Sequence, residues 1–242
     1  MWEQYLKKIL KSYTGPLTPE QISEGIYAAQ ANALRLLDDA KFLLQAGRFP
    51  SAAALAILSM EERGKTIILK HLAIVRESAD LKAAWRDYRS HRAKNAGWII
   101  PQLVSQGAKT MQDMAVSVDP NAEHSVLLDA LKQVSFYTDC LGNRHWSVPN
   151  EVIDEELARS LVTSAEMMWG SRSVTVRELE LWTQIVGPHY NQSGMAAAVI
   201  HWQHAMLTEG LSDVEPEKLA AFMQGMPVDV DDKSSAEPPK EE

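Results

Sequence analysis

The chain has 242 residues, 45% of them hydrophobic, and a formal net charge of −8 at pH 7. That is enough apolar material for a sizeable core, and the acidity argues against whole-surface binding to nucleic acid. The single cysteine, Cys140, excludes an internal disulfide and a cysteine-based zinc site and points to a reduced, cytoplasmic setting. Met1 to Lys8 lacks the apolar stretch of a signal peptide, and no run approaches the ~20 apolar residues that span a bilayer, so no membrane partner is expected.

Gly15-Pro16-Leu17-Thr18-Pro19-Glu20 is a stop-and-restart signal, with Thr18 as N-cap and Pro19 in the first helical turn. Ile26, Ala29, Ala33, Leu36, Leu37, Ala40 and Leu44 then recur at helical spacing to about Gln45, and Gly47 ends the helix. A second helix, about Pro50 to Arg76, has almost no polar residue before Glu61, and the two form an antiparallel hairpin. A third begins near Asp80 and is interrupted around Gly97 to Pro101; residues 107–120 fit a short helix and a loop. A fourth runs from Asn121 to about Val134. Beyond it, Gly142-Asn143 between aromatic flanks suggests a small β-hairpin or an ordered loop near 136–148. Further helices are expected at about 150–170, 174–186, 194–208 and 215–224. The expected fold class is all-α, an antiparallel helical bundle forming one domain over 1–225. Residues 226–242 read as a disordered acidic tail; from Asp229 to Glu242 there are six acids and two lysines.

Glu61-Glu62-Arg63-Gly64-Lys65 places charges and a glycine in a helix that otherwise reads as buried. Glu61 and Lys65 have the favourable i, i+4 order for an ion pair, and buried carboxylates there need further partners from a neighbouring helix. Gly64-Lys65-Thr66 is not a phosphate-binding loop, because Ser59 stands where that motif needs glycine and a helix precedes it. Between Lys82 and Lys94 lie five bases (Lys82, Arg86, Arg89, Arg92, Lys94) and one acid, Asp87. This basic strip is either a solvated helix face or a dock for a phosphate backbone, with Arg89 and Arg92 as RNA contacts in the second case.

On a straight helix Arg86 and His91 would lie roughly 140° apart, so they converge on one phosphate only if the helix bends or the arginine reaches round. Asp87 and His91 match at i, i+4, and His91 and Lys94 at i, i+3. A carboxylate beside an imidazole supports acid–base work, with Arg86, Arg89 or Lys94 stabilising a charged phosphorane. His201 and His204 have a metal-compatible spacing without a third ligand and read as structural or surface residues, and Trp85, Tyr88 and Trp98 read as core ahead of base stacking.

The order of these elements resembles the AbiV family of bacterial abortive-infection proteins. The resemblance rests on Asn32-Ala33 with Leu37 and Ala40, Gly47-Arg48-Phe49 with Ala52 and Ala56, Glu61-Glu62 with Gly64-Lys65, and His91 with Lys94. Its last block is Lys132 with Phe136-Tyr137, Asp139 and Trp146-Ser147-Val148-Pro149; the whole covers about residues 28–155. It implies a HEPN-like bundle with extra C-terminal helices over 150–225, and a phage-defence protein that arrests host translation by RNA binding or by metal-independent RNA cleavage. HEPN nucleases use an Arg-x(4–6)-His motif, which Arg86 and His91 satisfy, and commonly dimerise. On this reading His91 is the acid/base and Arg86 and Lys94 the phosphate contacts. Glu61, Glu62, Lys65 and Asp87 support them, with no metal and no cofactor. The partners are RNA, a second copy and a phage or host protein trigger. The alternative is a non-catalytic helical protein that senses or sequesters a phage or host component.

Overall fold

The computed structural model describes residues 11–168 and 174–228. Of the tail expected over 226–242, residues 229–242, with Asp229, Asp231 and Asp232, lie outside the described residues, as does the segment before Lys11. Among the described residues the fold is all-α except for one small hairpin. Helix α1 (Pro19–Gln45) starts where Thr18 and Gln21 form a reciprocal capping box, satisfying two backbone donors at once. It buries Ile22, Ile26, Ala29, Ala33, Leu36, Leu37 and Ala40 along one stripe. Gly47, at φ +69°, turns the chain into α2 (Phe49–Leu72).

The alanines of α2 let its backbone approach α1 closely, and the Ser59 hydroxyl donates to the Ala33 carbonyl across that contact at 2.7 Å. Ala52, Ala53, Ala54, Ala56, Ile57, Met60, Ile68, Leu69 and Leu72 are buried around almost the whole circumference of α2, which makes it the central helix. The chain continues through α3 (Ser78–Arg89), α4 (His91–Asn95), a 3₁₀ turn (Ala96–Ile99) and α5 (Ile100–Ser105). A second 3₁₀ turn (Ala115–Val118) leads to α6 (Glu123–Phe136).

Strands β1 (Asp139–Leu141) and β2 (His145–Ser147) pair antiparallel with Cys140 opposite Trp146, so the expected hairpin is present. Past it come α7 (Pro149–Val152), α8 (Glu155–Met167), α9 (Val176–Leu181), α10 (Met195–Thr208) and α11 (Pro216–Met223). The helix expected over 150–170 is therefore two. Ile153 and Asp154 separate them, and the Asp154 carboxylate caps α8 by accepting from the Leu157 N–H. One core cluster joins Leu37, Ala56, Ile57 and Met60 to Leu128 of α6 and Leu161 and Val162 of α8. A second joins Ile22, Ile26, Leu69 and Leu72 to Trp85 of α3 and Leu179 of α9. Among the described residues no helix is long and apolar enough to cross a membrane.

Two departures from the sequence reading shape the site. The third helix does not run on to Gly97: it stops at Arg89, and Ser90, extended at φ −77° and ψ 124°, starts a new helix by accepting the Ala93 N–H. Helix α4 then crosses α2 at Gly64 so closely that a Cβ there would lie 1.9 Å from the Lys94 carbonyl oxygen.

Candidate functional site

Position 61 lies on the side of α2 that α4 and α6 cover, so the Glu61 carboxylate is carried into the interior, 1% exposed. A charge there needs partners of opposite sign. Lys132 of α6 donates to Oε1 at 2.6 Å, the His91 Nδ1 stands 2.6 Å from Oε2, and the Lys94 ammonium lies 3.3 Å from the same oxygen. Lys132 also lies 3.0 Å from Oδ1 of Asp129, one turn earlier on α6, and Arg92 approaches Asp129 at 3.9 Å. Two carboxylates thus face two ammonium groups, the imidazole and, at longer range, a guanidinium.

The carboxylate fixes the direction of the histidine. A carboxylate oxygen accepts, so the hydrogen between His91 and Glu61 is carried on Nδ1, and Nε2 is the ring nitrogen left for other partners. The His91 side chain is half exposed while Glu61, Lys94 and Lys132 are buried. A buried anion therefore orients a half-exposed imidazole, an arrangement suited to general acid–base chemistry.

Several sequence expectations are corrected here. Lys65 pairs with Glu62 at 2.5 Å rather than with Glu61, and its ammonium stands 5.3 Å over the Tyr88 ring. Asp87 pairs with Arg86 at 3.6 Å and does not hold the imidazole, because the break at Ser90 removes the i, i+4 relation with His91. Arg86, on the last turn of α3, is 77% exposed and is not among the groups that bond Glu61. Arg89 donates to the Trp85 and Tyr13 carbonyls and stacks on Trp85, tying residues before α1 onto α3. Trp85 is core, its indole N–H donating to the Gly15 carbonyl and its ring edge-on to Tyr13 and Tyr88. Trp98 is half-buried beside His124. His201 and His204 are exposed on α10.

Lys132 entered the sequence reading only within a resemblance, and Asp129 did not enter it at all. The signal for Lys132 was available: it falls in step with Ser125, Leu128 and Ser135 on the buried stripe of α6, where a lysine needs an anion. Glu61, His91 and Asp129 also present ligand-capable atoms within 4.8 Å of one another. The Lys132 ammonium stands between the two carboxylates, so the donor set as built does not fit a metal ion.

The helical architecture is that of a HEPN-like bundle. The chain belongs to the AbiV family of HEPN proteins, whose model matches residues 21–170 and so spans α1 to α8. Membership places the protein in abortive infection, the bacterial defence against phage. Neither the curated proteins nor the solved structures yielded a match.

Proposed function

We propose that this protein arrests host translation during phage infection by acting on RNA, with His91 as the acid–base group. The observation that carries the reading is the 2.6 Å contact between Nδ1 of the half-exposed His91 and the buried Glu61 carboxylate, which leaves Nε2 as the ring nitrogen for a substrate. In the reaction, Nε2 takes the proton of a ribose 2′-hydroxyl as its oxygen attacks the adjacent phosphorus. The bond to the 5′-oxygen breaks and that oxygen takes the proton that Nε2 received, giving a 2′,3′-cyclic phosphate and a free 5′-hydroxyl with no metal and no redox change.

Arg86, exposed at the end of α3, and Arg92, exposed on α4, hold only the long ion pairs with Asp87 at 3.6 Å and Asp129 at 3.9 Å, and meet phosphate as the substrate docks. Lys94 works through Glu61, since its ammonium is buried against that carboxylate. Glu62 and Lys65 brace α2 against Tyr88 of α3, and Arg89 fixes the segment before α1. A second copy of the chain and the cytoplasmic setting belong to the same proposal.

A second reading has its own support. Tyr137 and Trp146 are about two-thirds exposed on and beside the hairpin, and Phe136 is also exposed. Exposed aromatics of this kind suit a protein partner, and in that case the Glu61 cluster serves only to hold the bundle together. The test is RNA integrity in cells expressing the wild type beside His91→Ala, with and without phage. Discrete cleavage in the wild type, reduced about 100-fold or more in a folded His91→Ala protein, supports the nuclease. Intact RNA in both, with defence retained by the variant, overturns it in favour of the binding protein.

A further inference from the structure

We propose that Lys132 is a tethered cation that does in this centre the positioning work a divalent metal ion does elsewhere. It holds the Glu61 carboxylate where that group orients His91. The inference rests on the reading of His91 given above and extends it to a residue so far without a role.

The ammonium bridges two carboxylates from two helices, 2.6 Å from Glu61 Oε1 and 3.0 Å from Asp129 Oδ1. The second Glu61 oxygen faces His91 Nδ1 at 2.6 Å. Remove the lysine stem and what remains is one imidazole and two carboxylates with ligand atoms within 4.8 Å of one another, a donor set suited to a borderline cation, with the Lys94 ammonium still 3.3 Å from the outer Glu61 oxygen, Oε2. Metal–oxygen and metal–nitrogen bonds of about 2.0–2.2 Å need only modest closure of such a cluster. With Lys132 in place that position is filled at nearly full burial. An ammonium on a side chain packed into α6 is always present, whereas a metal site depends on supply. Lys132 is thus a positioning residue: it sets Glu61, and Glu61 sets the tautomer and direction of His91.

The decisive experiment compares the wild type, Lys132→Ala, and Lys132→Ala combined with Glu61→Gln, each titrated with Zn²⁺ in chelator-free buffer and followed by thermal melting and calorimetry. In Lys132→Ala the bridging charge is gone and a cavity is left between the carboxylates. Zn²⁺ is expected to raise the Tm of that variant by roughly 5–10 °C at a hundredfold excess over its Kd. The wild type and the double variant should show no such rise, which separates this site from zinc taken up by surface histidines.

The second readout is the ¹⁵N shift pattern of the His91 ring. It should report the Nδ1–H form in the wild type, lose that uniformity in the metal-free Lys132→Ala protein, and regain it in Lys132→Arg, which keeps the cation. A Lys132→Ala protein whose stability Zn²⁺ leaves unchanged, or that stays unfolded with Zn²⁺ present, overturns the proposal. So does a wild type that binds Zn²⁺ as tightly as the variant. None of these readouts needs RNA: failure of the wild type to cleave RNA would count against the proposed function and leave the role of Lys132 standing.

Discussion

Glu61 is the residue on which the centre turns, because four charged or polar groups converge on its neighbourhood and it sits out of water. Glu61→Ala leaves Lys94 and Lys132 as buried cations short of an anion. It is expected to lower stability by about 3–5 kcal/mol, measured by urea unfolding. Glu61→Gln keeps the volume and an acceptor, so it should cost less while uncoupling the charge from His91. A different histidine governs behaviour in mild acid. His71 shares a hydrogen bond with the Tyr190 hydroxyl at 2.9 Å, and burial pulls its pKa below the usual imidazole value, partly opposed by Asp87 and Asp80. The unfolded chain therefore takes up this proton first as the pH drops. Stability tied to His71 is complete above about 6.5 and is lost as the pH falls from there toward the lower folded value. Unfolding free energies at pH 7.5 and 5.5 should differ less for His71→Gln than for the wild type.

At the scale of elements, the crossing of α2 and α4 determines whether the site exists. Gly64 is required there because the Lys94 carbonyl occupies the space a Cβ would take, and a backbone atom in a helix cannot step aside as a flexible side chain can. Gly64→Ala is expected to destabilise by about 3 kcal/mol and to push α4 outward, carrying His91 and Lys94 off Glu61. Loss of RNA cleavage or defence beyond what the stability change explains would show that displacement. The α1–α2 hairpin was legible in the sequence because apolar periodicity, a capping box and Gly47 all point the same way. The stop at Arg89 was not: there is no glycine or proline between Asp80 and His91, and a serine cap counts for only about 1 kcal/mol. Packing of α4 across Gly64 makes the break at Ser90 worthwhile, and that contact joins residues thirty positions apart.

Across the whole molecule, the segment after the family match is built into the bundle. Leu179 is fully buried with Ile22, Ile26, Leu69 and Leu72, the Trp182 indole donates to the Lys70 carbonyl, and Lys70 pairs with Glu178 at 2.8 Å. Deleting everything from Val174 onward should uncover that cluster, lower the Tm and promote aggregation, as calorimetry and size-exclusion chromatography would register. A folded, monodisperse truncation would instead mark the C-terminal helices as a detachable addition. The sequence by itself determined the all-α class and the central hairpin, because local periodicity and turn chemistry set helices; it left the small β-hairpin open beside an ordered loop and singled out Glu61, His91 and Lys94 as candidates. Charges in an apolar stretch of helix also announce that they need partners. Only the tertiary structure decided who those partners are. It turned Glu61 to Lys132 rather than Lys65, left Asp87 with Arg86, and seated an ammonium from α6 between two carboxylates. Pairings between helices far apart in the chain depend on how the helices pack, and packing is a property of the whole core.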